Sequence, residues 1–263
     1  MTRYQTFLLK LSGLGERLWR RLRGKKTKSH PINALHTRWR PPSIPRLPRS
    51  LYRCWLRGIE HLADLTLGIA TAIPECPDLP DPRARNARYD PLDYRALKII
   101  AKRAPPRPDE VAYDLGCGMG RMICFFARRP AKLCVGVEMA AELAEMARRN
   151  AITLIGRRAP IEIYTADAAQ MDLANATLIG MYNPFGEEVL RTVMENLCAS
   201  LQTNARRVRI FYANPHHYKV MSEYPVFRQI DQFLVPCKLI KFDVMVWENV
   251  SARPDSFPHP IMM

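Results

Sequence analysis

The sequence predicts an α/β fold: a mostly parallel sheet with helices on both faces, preceded by a helical, basic N-terminal extension. Three observations predict it. From Tyr94 onward, short apolar runs alternate with stretches at helical spacing, the rhythm of strand–helix units in a parallel sheet. A glycine-rich turn, Gly116–Gly120, sits where one apolar run ends and a helical pattern begins. The last two apolar runs are separated by too few residues for a crossover, so they pair antiparallel.

The elements follow in order. Residues 4–22 place Phe7, Leu8, Leu11, Leu14, Leu18 and Leu22 at helical spacing, with Arg3, Lys10, Arg17, Arg20 and Arg21 mostly on other faces. This basic amphipathic helix has three open uses: docking on the protein's own core, lying on a membrane surface, or contacting nucleic acid. Residues 23–50 are rich in Lys, Arg and Pro (RGKKTKSHP, RPPSIPRLPR) and predict a linker with polyproline character. Leu51, Trp55, Ile59, Leu62, Leu65 and Ile69 resume helical spacing over 51–73, and a Pro-rich break from Pro74 to Pro82 follows.

In the body, helices are expected at 93–103, about 121–129, 140–150 and 189–201. Strands are expected at 111–115, 133–137, 161–165, 178–182, 208–212, 227–235 and 239–247, the last two joined by a short loop at Pro236. The organisation is therefore a basic arm (1–50), a helix with a Pro-rich linker (51–83), an α/β body (84–250) and a tail (251–263).

Charge is divided unevenly along this plan. The 263-residue chain carries 40 Lys/Arg and 25 Asp/Glu, a formal net charge of +15. Residues 1–60 hold fifteen Lys/Arg against Glu16 and Glu60, about +13, leaving about +2 for the remaining 203 residues. The basic character belongs to the arm and suits nucleic acid, an anionic membrane surface or an acidic partner. Cys54, Cys76, Cys117, Cys124, Cys134, Cys198 and Cys237 show no C-x-x-C spacing, so free thiols in a reducing, cytoplasmic compartment are expected. No histidine spacing suggests a metal site. Apolar runs fall short of the roughly 18 residues of a membrane span, and no signal-peptide pattern is present. A membrane-peripheral position through the arm stays open.

The sharpest motif is Asp114-Leu115-Gly116-Cys117-Gly118-Met119-Gly120. Glycines at a strand-to-helix turn allow a tight bend and a close approach of backbone to ligand. The pattern is Asp-x-Gly-x-Gly-x-Gly, unlike the G-x-G-x-x-G of dinucleotide folds. Asp114 would repel a pyrophosphate there and favour a cationic ammonium or sulfonium, so the turn suits S-adenosylmethionine better than a nicotinamide dinucleotide. Glu138, ending the next strand, can accept from both hydroxyls of a ribose. Asp167-Ala168, after the third strand, offers a carboxylate or a backbone group to an adenine amine. Each acid alone reads equally as a loop-end charge or a helix cap. Together they sit at the carboxyl ends of successive strands, where open α/β sheets bind ligands.

On these residues the chain resembles the class I, Rossmann-like S-adenosylmethionine-dependent methyltransferases over about residues 84–250. The resemblance assigns the cofactor-binding set to Asp114, Gly116, Cys117, Gly118, Gly120, Glu138, Asp167 and Ala168. It implies a seven-stranded, mostly parallel sheet with the last strand antiparallel.

The fourth strand ends in Asn183-Pro184-Phe185-Gly186, similar to the Asn-Pro-Pro-Phe/Tyr motif of methyltransferases acting on nitrogen, without its second proline. By that resemblance Asn183 and a neighbouring backbone carbonyl accept from the target amine, and Phe185 packs on it. A plain strand-end turn broken by Pro184 and Gly186 is the competing reading. Tyr89-Asp90-Pro91 resembles the segment covering the methyl donor in small lysine methyltransferases and the DOT1 type. Tyr89 and Tyr94 equally suit a helix staple. His216-His217 follows the fifth strand, as pocket lining or as a solvated loop.

The expected activity is methylation of nitrogen on a protein lysine or another macromolecular amine, with Asn183, Pro184, Phe185 and Tyr89 at the acceptor. The alternatives are a non-catalytic S-adenosylmethionine- or nucleic-acid-binding module tethered by its arm, and a nicotinamide-dependent oxidoreductase, against which Asp114 and the glycine spacing argue.

Overall fold

The computed structural model describes residues 49–72 and 89–250, with the backbone alone for 49–54. The expected arm helix at 4–22, the linker up to residue 48, the break from Pro74 to Pro82 and the tail lie outside the described residues.

The element order is α1 (Arg49–Leu67), α2 (Tyr94–Arg103), β1 (Val111–Leu115), α3 (Arg121–Ala127), β2 (Leu133–Glu138), α4 (Ala141–Thr153), β3 (Ile161–Thr165), a 3-10 turn (Ala168–Gln170), β4 (Leu178–Tyr182), α5 (Glu187–Thr203), β5 (Arg209–Ala213), α6 (Tyr218–Met221), β6 (Phe227–Cys237) and β7 (Ile240–Asn249). The seven strands form one sheet in the order β3-β2-β1-β4-β5-β7-β6. The first five are parallel, and β7 is antiparallel to both β5 and β6.

Alternation along the central strands builds two cores. Val111, Tyr113 and Leu115 of β1 join Ile179, Met181, Ile210 and the α5 residues Leu190, Val193 and Leu197 on one face. Ala112, Cys134, Leu178 and Phe211 face the other, against Leu97 and Ile100 of α2 and Ile123 and Phe126 of α3. Strands covered on both sides read as continuous apolar runs, which is why β1, β4 and β5 are legible.

Two expectations need correction. Pro236 does not form the last loop: it lies within β6, paired with Lys241, and the chain turns at Lys238-Leu239, with Lys238 at φ 53. β6 is the outermost strand, where a missing ladder donor is tolerated. The helix expected over 51–73 stops at Leu67. Gly68 takes φ 69, its N–H bonds Leu65 O, and Ile69 N–H bonds Asp64 O, a glycine-based C-terminal cap. That helix also turns its apolar stripe outward: Trp55, Ile59, Leu62 and Leu65 are exposed, while Asp64 is 1% exposed.

A polar network explains the inversion. The Arg121 guanidinium, 4% exposed, pairs with Glu60, lies 3.8 Å from Asp64, and bonds Thr71 Oγ1 at 2.6 Å and Leu92 O at 3.1 Å. It also stacks over the Tyr94 ring at 4.8 Å, and the Tyr94 hydroxyl donates to Asp64. Burying a guanidinium requires anionic partners, and α1 supplies both by facing its acids inward. Burial, the largest influence, raises the pKa of Glu60, and Arg121 opposes it.

Candidate active site

β1 delivers Asp114 to the carboxyl edge of the sheet, and the next five residues fold back over it. Gly116, Gly118 and Gly120 all have positive φ (78, 54 and 80). The N–H groups of Gly116 and Cys117 both donate to Val137 O at 2.9 Å, fastening the turn to β2. At two glycines a neighbour occupies the place of a side chain. A Cβ on Gly116 would lie 2.4 Å from Pro184 Cβ, and one on Gly118 would lie 2.4 Å from the Tyr89 ring. The turn is thereby covered by Tyr89 on one side and by the end of β4 on the other. Gly120 caps α3. Cys117 is buried, its thiol raised well above the usual range, first by burial and then by the charge of Asp114. Its Sγ turns toward Gly118 O, and it shapes the loop from beneath.

Asp114 is 2% exposed, and its Oδ2 has no hydrogen-bond partner among the described residues. Burial, followed by the charge of Glu138, pushes its pKa up to about 8, against an opposing hydrogen bond from the Ile123 backbone. An unpartnered buried carboxylate oxygen is costly and points to a ligand that supplies a donor or a positive charge. This fits the ammonium and sulfonium of S-adenosylmethionine.

Glu138 is half-buried at the end of β2. Its Oε2 accepts from Gly118 N–H and its Oε1 from Ala140 N–H, each at 2.9 Å. Each oxygen retains a lone pair, enough for two ribose hydroxyls. Asp167 follows β3 and accepts from Ala169 N–H at 2.9 Å, capping the 3-10 turn in which Ala168 is buried. Asp114, the glycine turn, Glu138 and Asp167 therefore line successive carboxyl ends of the sheet.

At the end of β4, Asn183 adopts φ 42, in the left-handed region that asparagine tolerates. Its Oδ1 accepts from the Tyr212 hydroxyl at 3.1 Å, and its Nδ2 lies 3.3 Å from His216 Nδ1. Pro184 packs on Gly116 as described. Phe185 is 7% exposed and belongs to the core beneath α5. His216 joins this cluster, whereas His217 faces Glu187 at 3.9 Å.

Sequence reasoning assigned no role to Tyr212, Arg121, Thr71 or Asn150. The Tyr89 hydroxyl donates to Thr71 O at 3.0 Å, and Thr71 bonds Arg121. Asn150 ties Ala70, through both its N–H and C=O, to Met119 O inside the glycine turn. The stretch after α1 is thus tied to the glycine turn through the Asn150 side chain. Arg121 stood next to the motif as a clue. The partners of Asn150 lie 31 and 80 residues away and left no local signal. Among the described residues, no group of three or more His, Cys, Asp or Glu side chains could hold a metal ion.

Residues 112–204 match a family profile described as a methyltransferase domain. No curated protein sequence matches the chain. Among solved structures, TrmN from Thermus thermophilus is 18% identical with a TM-score of 0.45, covering 59% of this chain and 48% of its own, so this chain spans about half of that protein. An RNA methyltransferase from Salinibacter ruber, in complex with S-adenosyl-L-homocysteine, is 19% identical with a TM-score of 0.44, covering 66% of this chain and 100% of its own. Magnesium protoporphyrin IX methyltransferase from Synechocystis PCC 6803 is 14% identical with a TM-score of 0.44, covering 59% and 76% respectively.

A buried acid under the glycine turn separates a cationic cofactor from a pyrophosphate, and the profile match begins on that strand and runs through α5. Over residues 112–204 this chain matches a methyltransferase domain, and the buried acid beneath its glycine turn fits a cationic methyl donor.

Proposed function

We propose that the chain methylates a nitrogen of a macromolecular acceptor, a protein lysine being the amine its residues suit best. The observation carrying this reading is the Tyr212–Asn183–His216 cluster at the ends of β4 and β5, beside the Pro184 that packs on the glycine turn. Bound at Asp114, Glu138 and Asp167, the cofactor supplies a methyl group already activated on a sulfonium.

The protein's contribution is therefore positional. The Tyr212 hydroxyl fixes the Asn183 amide so that Nδ2 faces His216 and Oδ1 keeps a lone pair for an incoming N–H. An attacking amine must be neutral, and desolvation on entering the site would lower its pKa. The contact between Asn183 Nδ2 and His216 Nδ1, whose donor and acceptor roles follow the imidazole tautomer, holds the other end of the amide.

We also assign the arm, residues 1–50, to holding a polyanion, nucleic acid or an anionic membrane surface, in a cytoplasmic setting; its excess of Lys and Arg supports this. No helix among the described residues is long and apolar enough to cross a membrane. The test is transfer of radiolabelled methyl from S-adenosylmethionine to lysate separated into protein, RNA and DNA. Label in the protein fraction, reduced by Asn183→Ala, supports the proposal. Label confined to nucleic acid rejects the lysine assignment, and no label in any fraction rejects the proposal as a whole.

A further inference from the structure

We infer that the outward face of α1 is a docking surface for an anionic lipid interface. An ordinary surface helix buries its apolar stripe and shows charge to water. α1 does the reverse. Trp55, Ile59, Leu62 and Leu65 are 53%, 41%, 41% and 59% exposed, and they recur at spacings of three and four along one face. At the C-terminal end of the helix, Ile155 lies against Gly68 and is itself 57% exposed. A contiguous apolar stripe of this kind marks an interaction surface.

The charges select the partner. Both acids in the described part of the helix, Glu60 and Asp64, face inward and are engaged by Arg121 and its neighbours. The exposed polar positions between Trp55 and Leu65 are Arg57 and His61, so the outward face carries no carboxylate. The sequence leading into it, residues 1–60, is about +13. Apolar side chains including a Trp, with Arg57 beside them, a basic sequence leading in and no exposed acid, match the chemistry of an anionic headgroup layer over acyl chains. A nucleic acid would use the cations but gains nothing from the Ile and Leu positions. The surface is coupled to the site, because Thr71 and Ala70, just beyond α1, bond Arg121, Tyr89 and Asn150 around the glycine turn. Docking α1 therefore engages a helix whose inward side is bonded to residues around that turn.

The test is flotation of the full chain with vesicles of phosphatidylcholine alone and with phosphatidylglycerol added, comparing wild type with the triple variant Ile59→Ser, Leu62→Ser, Leu65→Ser. Wild type is expected to float with the anionic vesicles, to keep part of that binding at about 0.5 M salt, where surface charge is screened, and to lose roughly tenfold or more of its affinity in the triple variant. A thermal melt reports whether the variant folds. Quenching of Trp55 by brominated lipid in a Trp19→Phe, Trp39→Phe background, where the remaining Trp247 is buried and serves as the unquenched reference, gives a readout independent of the triple variant. No flotation of wild type, equal flotation of the variant at both salt concentrations, unquenched Trp55, or an apolar stripe that mediates only dimerisation would each overturn the inference.

Discussion

Replacing Asp114 by Asn separates what the fold wants from what the cofactor wants. In the free protein its carboxyl is buried, one oxygen is unpartnered, and its pKa is pushed up to about 8. A folded-state pKa above the unfolded value means that the group's contribution to stability is complete below about pH 4 and is lost as pH rises toward 8. At pH 7 the ceiling on that loss is about 4 kcal/mol, at roughly 1.4 kcal/mol per unit of pKa shift. The amide of Asn does not ionise. Asp114→Asn should therefore leave the melting temperature unchanged near pH 4 and raise it at pH 8, by about 2–4 °C for each kcal/mol recovered. Cofactor affinity should move the other way. Losing a carboxylate that accepts from an ammonium costs about 2 kcal/mol, roughly 30-fold in Kd. In wild type, binding of the cation draws the carboxyl to its ionised form, so S-adenosylmethionine affinity should increase from about pH 6 to pH 8 with release of a proton. Scanning fluorimetry across pH and calorimetry in two buffers of different ionisation enthalpy read both effects. A variant destabilised equally at all pH values, or one binding the cofactor as tightly as wild type, would refute the reasoning.

Other perturbations test the remaining parts of the site. Gly118→Ala places a methyl group into the Tyr89 ring at a position with φ 54, and should weaken S-adenosylmethionine binding at least about tenfold, partly restored by adding Tyr89→Ala; unchanged calorimetric affinity would contradict this. Arg121→Met leaves Glu60 and Asp64 buried against a neutral side chain and should cost about 3–5 kcal/mol in chemical denaturation. A loss below about 1 kcal/mol would show that the network is dispensable. Tyr212→Phe releases Asn183 Oδ1 and should slow methyl transfer about tenfold or more while leaving cofactor affinity intact. Equal rates would remove Tyr212 from the acceptor site.

The strand–helix rhythm was legible because β1, β4 and β5 are covered on both faces and are therefore apolar apart from Asp114 and Arg209. The turn from Asp114 to Gly120 was legible because its acid and glycines are consecutive. Glu138 and Asp167 could be placed because one ends a strand and the other closely follows one. The network around Arg121 was not legible, since it joins residues 60–72 to residues 92, 94 and 121 through tertiary contacts alone. α1 shows the limit most clearly. Its periodicity announced a helix, but periodicity does not say which face is buried. The buried Arg121 decides that, by drawing Glu60 and Asp64 inward. The direction of Phe185 was equally hidden, because a single aromatic after a strand serves pocket or core alike, and here it joins the core.

The central claim is that the turn built on Asp114 and Glu138 holds a cationic methyl donor in place of a dinucleotide. Isothermal titration of the full chain with S-adenosylmethionine and, separately, with NAD tests it most directly. The account predicts one site with micromolar affinity for S-adenosylmethionine, about −8 kcal/mol, abolished in Glu138→Ala, and no heat with NAD. NAD binding without S-adenosylmethionine binding would contradict it.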